Sequence, residues 1–265
     1  MGINSLITEA STYVKDAAVD YSTPTSSKTE LVPEGVALGR LVAHIEYGPQ
    51  TKEYQGVTKI VRMFQLGFAL WGEGYEAEDG SPTILYARAL TIGDYGLDAK
   101  SNAFKVFQRM RGKTNTKHFS ELLGQAFRIP IVHGLVDGKP TYANIDLNDI
   151  NPAFDPIMKR PDVVPQLPDN SPHYRLFLWD RPSKLQWDSL YIDGVWEAKP
   201  ATGAAPAKPE KSKNVHQERI KAGPKFKGSA IEALLLEHSL ESQVDSNQPV
   251  DDIPDFGGFT MPPVV

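Results

Sequence analysis

GVALGRLVAHIEYG (35–48) and KIVRMFQLGFAL (59–70), joined by the polar stretch PQTKEYQGVT (49–58), decide how this chain folds. Both flanking segments alternate their side chains with the period of two that belongs to a β-strand. In the first, Leu41, Ala43, Ile45 and Tyr47 fall on one face and Arg40, Val42, His44 and Glu46 on the other. In the second, Ile60, Phe64, Leu66, Phe68 and Leu70 share a face, with Lys59, Val61, Met63 and Gln65 opposite. One face of each is the greasier, which predicts antiparallel strands packed on one side and wet on the other. Gly39 inside the first strand marks a bend or bulge of the kind that curls a sheet toward a barrel. The connecting stretch reads as a loop that carries Lys52, Tyr54 and Gly56.

Downstream, WGEGYEAEDGSP (71–82) is rich in turn formers, and TILYARALTIG (83–93) has the β-branched content of a third strand. The period then changes. Phe104, Phe107 and Met110 recur at helical spacing, Gly112 stops that run, and Phe119, Leu122 and Leu123 resume it. FRIPIVHGLV (127–136) and PTYANIDLND (140–149) flank Asp137-Gly138, a hairpin signal. Three strands, a helix and two strands is the element order of an OB-fold, a five-stranded Greek-key barrel with a helix between strands three and four. The expected fold is therefore mainly β, with tails added.

Residues 1–34 read as a flexible lead-in with one short helical piece from Leu6 to Val19. The domain runs over 35–197. It includes a proline-rich arm at 150–182 and a last helix capped by Ser183, with Trp187, Leu190 and Tyr191 on one side. Residues 198–228 form a basic Pro/Ala/Lys linker whose apolar content is too low to fold. In 229–265, Ser229 and Glu232 have capping-box spacing and open a helix with Ile231, Leu234, Leu235 and His238 on one face. So short a helix needs a surface to lean on. An acidic tail follows.

Charge is segregated in the same order. Residues 1–197 carry 20 Lys+Arg against 24 Asp+Glu, residues 198–227 carry eight against two, and from Gly228 onward there are seven acids and no base. Such an arrangement points to tails with separate tasks. The absence of Cys excludes disulfides and thiolate metal sites and fits a reducing cytoplasm. The first twenty residues lack a basic, then apolar, leader, and no run of about 18 apolar residues suggests a membrane span. A cytoplasmic protein (host cytoplasm, if viral) is expected.

The chemistry follows from local clusters. Lys100, Lys105, Arg109, Arg111, Lys113 and Lys117 lie in one run without an acid, a plausible footprint for phosphates, since cations that contact a polyanion release its counterions. The bland reading is a solvated helix face above a core of phenylalanines. Lys52, Tyr54 and Lys59 in the first loop, and Trp71 and Tyr75 in the next, are placed for base contact. Arg40, Arg62 and Arg88, one on each of the first three strands, are candidates to line the same groove. Enzymatic signals are missing. Gly112-Lys113-Thr114 lacks the upstream Gly of a phosphate-binding loop, the six histidines show no H-x-x-x-H spacing, and no G-x-S-x-G is present. Asp94 and Asp98 read as turn or cap residues. A non-enzymatic protein without metal or other cofactor is expected.

In the tail, Asp251, Asp252, Ile253, Pro254, Asp255 and Phe256 form an apolar hook flanked by carboxylates, suited to a small cationic pocket. This segment resembles the acidic tip of bacterial single-stranded DNA-binding proteins. The body, through R-L-V-A-H-I-E-Y-G (40–48), F-A-L (68–70), H-F-S-E-L-L-G-Q-A-F (118–127) and Y-A-N-I (142–145), is similar to phage-encoded OB-fold proteins of that class. The resemblance implies sequence-independent coating of single-stranded DNA in replication, recombination or repair. It also implies recruitment of replication or recombination proteins by Asp251, Asp252, Ile253, Pro254 and Phe256. Two departures stand out: Asp255 separates Pro254 from Phe256, and GGFTMPPVV follows, so no terminal carboxylate sits beside the Phe. The alternative is a β-barrel interaction or virion-associated protein that binds proteins only. Homo-oligomerisation is compatible with either.

Overall fold

Strand periodicity carries through to the three-dimensional structure, a computed structural model that describes residues 31–93, 96–155, 159–198, 200, 207 and 209–245. The chain divides into Met1–Leu31, of which only Leu31 is described, and Val32–Val265. The lead-in helix expected at Leu6–Val19 lies outside the described residues.

Strands β1 (Gly35–Tyr54) and β2 (Val57–Trp71) form one long antiparallel hairpin. The expected loop at 49–58 is instead ladder almost to its tip, because Gln55 and Gly56, with φ of 50° and 74°, supply the two left-handed residues of a tight hairpin turn. β2 then pairs with β3 (Thr83–Tyr86) and β4 (Leu90–Ile92), the two halves of the expected third strand. Helix α1 (Asn102–Arg111) begins at Ser101, whose side chain accepts from the Phe104 N–H, and ends at Gly112 with φ of 54°. A 3-10 turn at Phe119–Leu122 leads into β5 (Ala126–Val136), which pairs with β1, and Asp137-Gly138 turns it into β6 (Lys139–Ile145). The main path of the sheet is therefore β3-β2-β1-β5-β6, antiparallel throughout. The fold is mainly β. Edge strands β3 and β6 approach each other with no ladder between them, so the sheet is not closed among the described residues.

The proline-rich arm adds short strands. β7 (Asn151–Pro152) pairs with β5, β8 (Phe154–Asp155) with β9 (Arg160–Pro161), and β10 (Arg175–Phe177) lies parallel to β1. Helix α2 (Lys184–Ser189) is capped by Ser183 as expected, and Trp187 and Leu190 are buried, but Tyr191 is 56% exposed. The helix ends at Ser189, and Tyr191 falls beyond its periodicity. β11 (Val195–Trp196) pairs with β12 (Lys211–Ser212).

β1 is buried on both faces, not one. Register shifts between Leu41 and Ala43 and between Glu46 and Gly48 change which side successive residues face. Leu41 therefore joins Phe64, Leu66, Phe68, Leu70, Phe127 and Ile129 in the main core. Ala43, Ile45 and Tyr47 belong to a second core with Phe177, Trp187, Leu190, Ile220 and Ile231. The bulges thus sit after Leu41 and Glu46 rather than at Gly39. Gly39 has a different role: a Cβ there would lie 2.5 Å from the Ala69 carbonyl oxygen and 2.6 Å from Ile129 Cδ1. Ile60, expected on the apolar face, is exposed because the hairpin tip projects past both cores.

The second core corrects the domain boundaries. Residues 198–228 are not linker throughout: helix α3 (Val215–Lys221) buries His216, Gln217 and Ile220, and Phe226 packs on the same cluster. Apolar residues are few here, but they converge on one spot, and a fully buried aliphatic side chain contributes about 1.5–3 kcal/mol. Helix α4 (Ala230–Asp245) opens with the expected box: Ser229 Oγ accepts from the Glu232 N–H, and the Glu232 carboxylate accepts from the Gly228 N–H. Ile231 is buried and Leu235 packs beside it, so the body itself supplies the surface this helix requires.

Candidate nucleic-acid interface

Two exposed cationic features stand out, and the second borders a cleft. The first is the hairpin tip. Lys52 and Lys59 are direct ladder partners, both exposed, and with Val57, Val61 and Thr91 they line a depression of about 330 Å³. Like charges opposite each other across a ladder cost stability, so the pair has no structural purpose of its own. Tyr54 ends β1, paired with Val57 beside the turn.

The second is α1 and the segment after it. The helix buries Ala103, Val106, Phe107 and Met110, which turns Lys105 and Arg109 outward. Arg109 and Arg111 stand in the last turn, where cations complement the helix dipole. Lys113 and Lys117 are exposed; Arg111 is half-buried, with its Nε unpartnered. Among the described residues no ion pair engages Lys52, Lys59, Lys100, Lys105, Arg109, Lys113 or Lys117.

Between α1 and the sheet lies a cleft of about 480 Å³. β1 and β2 contribute His44, Glu46, Arg62 and Phe64, α1 contributes Phe104, Phe107 and Gln108, and Lys117, His118 and Asp180 complete the rim. Phe104 is the half-buried member of the helical Phe pair, the other, Phe107, being core. Its ring lines the cleft beside the cationic run. His44 is 1% exposed, and burial holds its pKa down to about 4, so it is neutral at physiological pH. Burial pushes the Glu46 carboxyl up, but His118, His44 and the Trp179 N–H together outweigh that and hold it below the usual carboxylate range. The Trp179 N–H donates to Glu46 Oε2 at 3.0 Å. Arg62 lies 4.0 Å from Glu46 but directs its guanidinium to Asp180, at 2.5 Å.

Several expected contact residues are engaged elsewhere. Trp71 is buried with Val42, Ala69, Ala153 and Val164, and Tyr75 in the main core, so neither ring is free to stack. The turn at Gly72–Glu76, held by Tyr75 N–H to the Gly72 carbonyl and Gly72 N–H to the Glu76 carboxylate, folds the Tyr75 ring inward. Arg40 donates to the carbonyls of Gly124, Pro165 and Val164 at 2.6–2.8 Å and ties the proline-rich arm to β1. Arg88 is exposed beside Asn144 and Asp146 in a separate depression. The three arginines therefore do not share a groove. Asp98 caps its own turn by accepting from the Lys100 N–H, and Asp94 lies outside the described residues. The tail residues Asp251, Asp252, Ile253, Pro254 and Phe256 also lie outside them. Sequence reasoning missed His44, Glu46 and His118 as a group and Phe104 as a cleft residue. An H-x-E alternation on a strand was the only available signal.

No protein-family model, curated protein or solved structure matches this chain. Among the described residues no helix is long and apolar enough to cross a membrane.

Proposed function

We propose that this is a non-enzymatic single-stranded DNA-binding protein built on an OB-type sheet, acting in DNA replication, recombination or repair. The observation that carries the reading is the acid-free run from Lys100 to Lys117, on and around a helix inserted between β4 and β5, in which Lys100, Lys105, Arg109, Lys113 and Lys117 are exposed and, among the described residues, without ion pairs. A sheet ordered β3-β2-β1-β5-β6 with a helix at that point supports the OB-type reading, and OB-folds bind strands across one face and through hairpin loops. The Lys52–Lys59 tip supplies one such loop. Phosphates pair with Lys52, Lys59, Lys105, Arg109, Lys113 and Lys117, while Phe104 replaces Trp71 and Tyr75 as the ring offered to a base. The acidic tip at 251–256 recruits partner proteins or competes with DNA for the cations.

Limited proteolysis with and without an oligonucleotide tests the placement. Protection of the 52–59 tip and the 100–117 segment is expected; protection confined to β11, β12 and α3 would move the site elsewhere. Truncation for the tail test starts after Asp245, since Ile231 is part of the second core. Removal of 246–265 should tighten DNA binding, and unchanged affinity would exclude competition.

A further inference from the structure

We propose that His44, Glu46 and His118 form a binding site for a divalent transition-metal ion of the zinc class at the floor of the 480 Å³ cleft. The inference is independent of the nucleic-acid reading.

One ligand atom from each of the three residues lies within 4.8 Å of the other two. A tetrahedral ion with bonds of about 2.0–2.1 Å needs donors about 3.4 Å apart, which modest side-chain rotations supply. Two imidazoles and one carboxylate are a zinc-type donor set that leaves a coordination position to water.

The positions follow from the chain. His44 and Glu46 are two apart on β1, before its second register shift, and both line the cleft. His118 reaches them from the N-cap of the 3-10 turn. Its Nδ1 accepts from the Ser120 N–H at 3.3 Å and lies 2.7 Å from Ser120 Oγ, contacts that hold the ring with Nε2 turned toward Glu46. Orientation of a metal-binding imidazole by hydrogen bonding at its other nitrogen is a general feature of such sites.

Two further observations indicate that a cation is wanted here. His44, 1% exposed, has a buried Nδ1 with no hydrogen-bond partner, an arrangement that costs stability unless something binds the ring. Glu46, 8% exposed, has its Oε1 3.7 Å from His118 Nε2, too far for a hydrogen bond, and its nearest guanidinium is committed to Asp180. The floor of the cleft thus sets a lone buried nitrogen and a buried carboxylate beside a third donor that is 44% exposed and open to solvent entry.

The test uses the full-length protein after treatment with a chelator. Titration with Zn²⁺ against a chromophoric competitor should show a single equivalent bound with micromolar or tighter affinity, and Co²⁺ should give the intense visible bands of a tetrahedral site. Glu46→Gln and His118→Ala should each weaken Zn²⁺ binding about tenfold or more, while His133→Ala, which alters a separate His–Glu contact, should leave it unchanged. Should Glu46→Gln fail to fold, the wild-type Co²⁺ spectrum and the partly exposed His118→Ala variant decide. No stoichiometric binding at millimolar Zn²⁺, or equal affinity in wild type and His118→Ala, would overturn the site.

Discussion

The phenol of Tyr47 and the imidazole of His216, 169 residues apart, share a hydrogen bond of 2.7 Å in the second core. Its polarity is set by a chain of contacts. Gln65 donates through Nε2 to the Ala87 carbonyl at 2.7 Å, which leaves Oε1 to accept from the Tyr47 hydroxyl at 2.6 Å, so His216 donates Nδ1–H to the Tyr47 oxygen. Arg219 lies over the Tyr47 ring, 4.0 Å from its centroid. This network fastens α3 to β1 and explains why a Pro/Ala/Lys-rich stretch folds at all.

Tyr47→Phe leaves Gln65 Oε1 and the His216 N–H buried without a partner. The expected cost is about 1–3 kcal/mol, read as a lower urea midpoint, with earlier protease cleavage between 209 and 228 than in the wild type. A midpoint within error of wild type would mean that the network contributes nothing to docking.

Stability should fall on mild acidification. Burial, aided by Arg175 and Arg219, lowers the His216 pKa to about 4, against 6.5 in an unfolded chain. Between those values the unfolded state binds the extra proton, so stability rises with pH from 4 to 6.5 and is lost as pH falls through that window, by up to about 3 kcal/mol for this group. His44 is buried in the same way. His216→Asn should therefore reduce the slope of unfolding free energy against pH without abolishing it; an unaltered slope would show that the fold does not shift the titration of His216.

Gly48 has φ of 68°, and a Cβ there would fall 2.1 Å from the Trp179 ring. Gly48→Ala should destabilise by about 2–4 kcal/mol through left-handed strain and displacement of the indole. Trp179 fluorescence should shift in the folded variant, and a variant as stable as wild type would place the indole elsewhere.

Much of the fold was legible because its signals are local. Alternation in 35–48 and 59–70, the Gly112 stop, the Asp137-Gly138 turn, the Ser183 cap and the Ser229–Glu232 box each depend on a few adjacent residues. The misreadings came from events that periodicity cannot register. Two bulges divide β1 between two cores, so Ala43 and Leu41 part company. Gln55-Gly56 turns a presumed loop into ladder. Trp71 and Tyr75, polar-capped aromatics in a turn-rich stretch, read as exposed, but Trp71 is buried against Val164 of the distant arm and Tyr75 in the main core. His44, Glu46 and His118 escaped notice because their proximity is created by the 3-10 turn folding onto β1, not by spacing in sequence.

The cationic interface makes its own prediction. Phe104→Ala should weaken oligonucleotide binding by about 1–3 kcal/mol at every salt concentration, whereas Lys105→Ala and Arg109→Ala should each flatten the salt dependence by about 0.7 in the log–log slope. Unchanged affinity in all three would remove α1 from the interface.

Fluorescence anisotropy of labelled oligo-dT, titrated with the full chain over a range of NaCl concentrations, tests the central claim most directly. Tight binding at low salt with a steep linear fall of log K against log salt is expected, with mixed-sequence oligonucleotides behaving alike and duplex DNA bound more weakly. No binding at the lowest salt, or binding indifferent to salt, would contradict it.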